Sequence, residues 1–144
     1  MHIHDIDIAL WWFGQPASVH AEGWSRAGLP MTVDATWRYP GDMTAHLYSS
    51  WDPHGGAFRH AFRVVLEAGT LTYDLAATNP GLQLWQDGKA QDLPVAEANA
   101  YQAEIDDFAR CAAAGLAFDR FSPSDSRRAV EYGLQEMAQL KQRR

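Results

Sequence analysis

Met31-Thr32-Val33-Asp34-Ala35-Thr36-Trp37-Arg38-Tyr39 alternates apolar and polar residues without a break. A period of two places Met31, Val33, Ala35, Trp37 and Tyr39 on one face of an extended chain, so the stretch predicts a β-strand. Pro40-Gly41-Asp42 follows as a turn, because Pro presets φ and Gly tolerates positive φ. The alternation then resumes with Met43, Ala45, Leu47, Ser49 and Trp51 against Thr44, His46, Tyr48 and Ser50. Two long strands joined by a tight turn make an antiparallel pair, the start of a sheet.

Further strands extend it on both sides. Ala17–Arg26 reads as a strand before this pair. Pro53-His54-Gly55-Gly56 breaks the pattern after it, and Phe58–Glu67 is a third long strand. Ala68-Gly69 turns into Thr70–Asp74, and a shorter hairpin joins Leu82–Trp85 to Ala90–Leu93 around Asp87-Gly88.

Helices flank the strands. Residues 3–13 fit either period, but Gly14 and Pro16 favour a helix that stops there, since Gly supplies a left-handed cap and Pro blocks continuation. Tyr101, Ile105, Phe108 and Ala112 keep a helical spacing that Gly115 closes. Ser122-Pro123-Ser124-Asp125 is a helix start, with Ser122 as cap and Asp125 at the positive end. Val130, Leu134, Met137 and Lys141 mark one face of that last helix. The order predicts an α+β fold in a single domain over residues 1–144: a large, mostly antiparallel sheet with helices packed on one face. The other face, where Tyr48 lies opposite in parity to Trp37 and Tyr39, is an expected oligomer interface.

Composition narrows the function. The chain has 144 residues, 47% hydrophobic, enough for a buried core. Its net charge is −6, and Lys141, Arg143 and Arg144 are its only basic block, so nucleic acid is disfavoured as a partner. Neither a membrane span nor a secretory leader is visible. The single cysteine, Cys111, excludes an internal disulfide, fits a cytoplasmic protein and reads as a small buried hydrophobe. There is no Gly-x-Gly-x-x-Gly, no phosphate-binding P-loop, no nucleophile elbow and no Cys-x-x-Cys.

One cluster carries chemistry. His2, His4, Asp5 and Asp7 crowd the start of the chain. A His-x-His pair with carboxylates is one arrangement used to hold zinc, although no further ligand is singled out by spacing. Carboxylates at the start of a helix are equally explained by its dipole. The third reading makes His4 a general acid/base, because imidazole exchanges protons near neutral pH.

The stretch His2-Ile3-His4-Asp5-Ile6-Asp7-Ile8-Ala9-Leu10-Trp11-Trp12-Phe13-Gly14-Gln15-Pro16-Ala17-Ser18-Val19 resembles the Gfo/Idh/MocA family, where a His-x-x-Asp helix ends in Gly-x-Pro. The likeness continues through Arg38–Gly41, His46–Trp51, the Val65–Leu71 hairpin, the Tyr101–Phe108 helix and Ser122–Leu140. It covers the family's whole C-terminal domain. The resemblance implies an NAD- or NADP-dependent sugar or polyol dehydrogenase, in which hydride passes from a substrate carbon to the nicotinamide. It assigns the acid/base role to His4 and a substrate contact to Asp7, and no metal. It also implies a Rossmann domain with a catalytic Lys, and an Asp one position before Met1, all outside these residues. On that basis the chain alone is expected to be inactive and to form a homodimer through the open sheet face. A stand-alone sugar-binding or scaffolding protein, or a partner of a separately encoded Rossmann subunit, is the alternative.

Overall fold

The computed structural model describes residues 2–51, 58–77, 81–95, 99–117 and 122–143. They form two compact units, Met1–His54 with Ala117–Arg144, and Gly55–Leu116. The expected break at Pro53–Gly56 lies outside the described residues.

The first unit opens with α1 (His2–Phe13) and continues through β1 (Ser18–Arg26), β2 (Leu29–Arg38) and β3 (Thr44–Ser50). A single 3-10 turn at Pro40–Asp42 links β2 to β3. Both connections are antiparallel, with Val19 opposite Trp37 and Trp37 opposite Ala45. The alternation at 31–39 therefore resolves as expected: Val33, Ala35, Trp37 and Tyr39 are buried, while Asp34 and Arg38 are exposed. Gly23 is fixed by β2. Its φ is +139°, and a Cβ there would lie 2.0 Å from the Thr32 carbonyl oxygen, so only Gly lets the two backbones come this close.

After the second unit the chain returns as α2 (Ala100–Ala114), which belongs to that unit, and then α3 (Pro123–Met137), which belongs to the first. Ser122 caps α3 by accepting from the Asp125 N–H, as its sequence predicts. The face it buries differs from the expected one. Val130 and Leu134 are exposed, and Ala129 and Glu136 are buried, with Gly133 and Tyr132 half-buried. Gly133 lies against α1, where a Cβ would be 3.6 Å from Ile6 Cδ1, and Glu136 on the same side bonds to His2 and Trp37. The chain end also differs. Lys141–Arg143 is not a helix end but a short strand, β8, lying parallel to β1 with Trp24 opposite Lys141. Leu140 is buried just before it, and the Gln139 side chain accepts the Ala21 N–H at 2.9 Å. Together they cover an edge of β1 that would otherwise be unpaired.

The sheet order is β3-β2-β1-β8. Helices α1 and α3 pack together and lie on one face of it. The core between them joins Ile6 and Ala9 to Ala21, Ala35, Trp37, Leu47 and Ala129. Trp37 and Tyr132 rings meet at 5.0 Å. Tyr39 is buried beside Phe13, and no described group bonds its hydroxyl. Burial, with the nearby Tyr132 hydroxyl second, pushes its phenol up to about 12.

The second unit is an antiparallel meander, β4 (Ala61–Leu66), β5 (Gly69–Asp74), β6 (Leu82–Gln86) and β7 (Lys89–Leu93). The β6–β7 turn has positive φ at both Asp87 and Gly88, the twist a two-residue hairpin needs. Strand β4 starts later than its sequence suggests, at Ala61 rather than Phe58. Phe62 stacks on Tyr73 at 5.8 Å, and Arg59 donates to Asp74 at 3.1 Å. In α2, Asn99 caps by accepting from the Tyr101 N–H and Gly115 ends the helix in the left-handed region. The stripe that predicts this helix is not buried: Tyr101 and Ile105 are exposed, and Cys111 is buried. The fold is α+β with mostly antiparallel sheets, and the strands form two four-stranded sheets among the described residues. No helix among them is long and apolar enough to cross a membrane.

Candidate functional site

Helix α1 separates its ionisable residues by side. At about 100° per residue, positions two apart lie on nearly opposite sides of a helix. His2 therefore turns inward and His4 outward, and while α1 is helical the His-x-His pair cannot close on one ion. Among the described residues no group of three His, Cys, Asp or Glu is placed to hold a metal.

The inward side is structural. His2 Nε2 lies 2.6 Å from Glu136 Oε2, and Trp37 Nε1 donates to Glu136 Oε1 at 2.6 Å. Glu136 is 1% exposed, and a buried carboxylate persists only where donors replace its water. The chain His2–Glu136–Trp37 thus ties α1 and α3 to β2. His2 Nδ1 is buried without a hydrogen bond, 3.8 Å from Asp5. Sequence reasoning did not assign Glu136 or this role for His2. The partners are 134 and 99 residues apart, and no local pattern links them.

Beside this chain is a cavity of about 270 Å³. Val130, Leu134 and Met137 line it with Ile3 and Trp51, which accounts for the exposed apolar stripe of α3. Among the described residues that line it, His2 and Glu136 are the only ionisable groups, and each is already bonded to the other. What the described lining offers is mainly apolar surface.

The outward side has the free groups. His4, Asp7, Ile8 and Trp11 follow the i, i+3, i+4, i+7 spacing that makes one helix stripe. All four are exposed, Trp11 at 79%. No described residue hydrogen-bonds to His4 or Asp7. An imidazole and a carboxylate one turn apart, with an indole a further turn along, are able to exchange a proton with a hydroxyl and to cover an apolar or sugar face. The opposite stripe, Ile6, Ala9, Leu10 and Phe13, packs on the core and holds this one in place.

The described residues do not supply a dinucleotide site. The only parallel pairing among them is β1 with β8, with no strand-helix-strand crossover of the kind that carries a glycine-rich turn. No cofactor step is assigned to these residues.

Residues 1–72 match the model of the GFO/IDH/MocA C-terminal domain. No curated protein matches the sequence. Among solved structures, UDP-N-acetylglucosamine 3-dehydrogenase GnnA from Acidithiobacillus ferrooxidans superimposes with a TM-score of 0.81 at 24% identity, over 98% of this chain and 46% of that one. A second crystal form of it gives 0.79 at 23% identity, over 96% and 47%. The aldose-aldose oxidoreductase of Caulobacter crescentus gives 0.76 at 15% identity, over 96% and 43%. The chain spans less than half the length of these proteins, and at such identity the likeness concerns the fold. With the family model covering residues 1–72, the helix of His4 and Asp7 included, this chain belongs to the GFO/IDH/MocA C-terminal domain family.

Proposed function

We propose that this chain is the substrate-side, self-associating part of an NAD(P)-dependent sugar or polyol oxidoreductase. His4 takes or returns the proton of a substrate hydroxyl, and Asp7 contacts the substrate one helical turn away. The observation that carries this reading is the outward stripe of α1. It presents an imidazole, a carboxylate and a nearly bare Trp11 on a helix whose other side is locked into the core. The two neighbouring enzymes are named for sugar substrates, and a sugar supplies both the hydroxyl for His4 and the face for Trp11.

The redox half of the reaction belongs to NAD or NADP, held by residues outside this chain. What the chain contributes is orientation and proton transfer at the hydroxyl oxygen. A second copy of the chain pairs through the face of the first sheet away from α1 and α3.

The test uses the native protein isolated from its source cells with an antibody to this domain. Its mass decides whether further residues accompany the 16.1 kDa chain. Sugar-dependent reduction of NAD or NADP is expected from that species, and His4→Gln is expected to slow it by about 100-fold without changing the circular dichroism. A cofactor-dependent rate from the 144-residue chain alone would overturn the division of labour. An unchanged rate in His4→Gln would remove His4 from the chemistry.

A further inference from the structure

Helix α1 is held differently at its two ends. Ile6, Ala9, Leu10 and Phe13 pack into the core of the first unit. The turn ahead of them, His2-Ile3-His4-Asp5, has Ile3 as its one apolar side chain. Ile3 is 37% exposed and stands in the wall of the cavity of about 270 Å³. On the α3 side Gly133 brings no side chain to meet it, and even a Cβ there would lie 3.9 Å from Ile3 Cδ1. Apolar contact is non-directional, so packing of this kind does little to fix the height or the rotation of the turn.

The polar contact does. His2 Nε2 lies 2.6 Å from Glu136 Oε2, and the other carboxylate oxygen accepts from Trp37 Nε1 at 2.6 Å. Trp37 is fully buried on β2. A hydrogen bond to a carboxylate is short and demands alignment. The bond therefore sets the turn both along the helix and about its axis, with the sheet as the fixed reference. His4 follows two positions later and is exposed. Its place is inherited from His2.

We propose that His2 is a positioning residue for His4. Through Glu136 and Trp37 it refers the start of α1 to β2, and so holds the His4 imidazole where it meets the substrate hydroxyl. This rests on the proton role proposed for His4 above. Proton transfer needs heavy atoms about 2.6–3.2 Å apart, and a displacement of about 1 Å can cost on the order of 100-fold in rate. The sugar itself does not touch His2 in this arrangement, because His2 and His4 lie on nearly opposite sides of the helix.

The test measures kcat for sugar-dependent NAD or NADP reduction in the complete native protein, with His2 changed in two backgrounds. His2→Phe keeps a ring and removes the bond, and it is expected to lower kcat about 10-fold or more. His2→Gln, whose amide N–H extends about as far as the imidazole Nε2, is expected to keep most of the rate. In a His4→Gln background His2→Phe is expected to make no further difference, because His2 acts only through His4. Amide hydrogen exchange in the first turn of α1 should quicken in His2→Phe while residues 9–13 stay protected, and circular dichroism confirms that each variant folds. An equal further loss in the His4→Gln background marks a general structural effect and overturns the positioning. So does a His2→Phe rate equal to the parent's, or a His2→Gln as slow as His2→Phe, and each leaves His4 in its role. A rate unchanged by His4→Gln itself removes the proton role and the positioning together.

Discussion

Trp37 on β2 and Glu136 on α3 are joined by a 2.6 Å hydrogen bond in the interior, and His2 at the start of α1 closes on the other carboxylate oxygen. Replacing the acid by an apolar residue leaves an indole N–H and an imidazole N–H buried without acceptors. Glu136→Leu is expected to lower stability by about 2–3 kcal/mol, and Glu136→Gln, which keeps an acceptor, by roughly half as much. Urea denaturation of the three proteins checks the order.

Gly133 separates α3 from Ile6 and Ile3. A methyl there would make ordinary contact at 3.6 and 3.9 Å. Gly133→Ala is therefore expected to stabilise, by up to about 1 kcal/mol of helix propensity. Gly133→Leu has no room for its branch and is expected to destabilise by about 1–3 kcal/mol. Opposite signs of change in melting temperature are the expected result, and a loss in both would mean the helices lie closer than this.

At Gly23 the backbone of β2 itself is the obstacle, 2.0 Å from a would-be Cβ. Even Gly23→Ala must spread the two strands or bend β1. A loss of about 2 kcal/mol or more is expected, visible as a lower denaturation midpoint.

Tyr39 holds its proton to about pH 12, against 10.0 for an ordinary phenol. A group raised in this way lends its full stability below pH 10 and loses it as the pH climbs through 12. Tyr39→Phe also removes a hydroxyl that is buried without a partner, so it is expected to be as stable as the parent or more so near neutrality. Between pH 10 and 12 its advantage should widen. Denaturation midpoints of the pair across that range give the comparison.

Local signals were legible in the sequence wherever one residue or a short period decides the outcome. Gly14 bonds back to the Leu10 carbonyl and stops α1, Ser122 caps α3, and the alternation at 31–39 fixes which side of β2 is buried. The parts that were not legible depend on distant partners. A face of α3 chosen by hydrophobicity selects Val130, Leu134 and Met137, but packing selects Ala129, Gly133 and Glu136. A glutamate reads as solvent-exposed until its donors from α1 and β2 are known. Strand β8 is too short and too charged to show a period, and it is defined by the edge of β1 that it covers. At the candidate site, sequence marks the His2–Asp7 cluster, and the helix then divides it: His2 belongs to the scaffold, His4 and Asp7 to the surface.

The pairing of β8 with β1 also bears on how the molecule is made. Strands β1 to β3 precede the second unit in the chain, yet the unit they belong to is completed by α3 and β8, which follow that unit in sequence. Until those residues emerge, the buried face of Trp37 has only α1 to close on and the edge of β1 has no strand beside it. The intervening meander is built from neighbours in sequence and is free to form first. Nascent chains paused before α3 should thus carry an unfinished first unit that is open to chaperones and proteases, and emergence of α3 and β8 is the step that completes it.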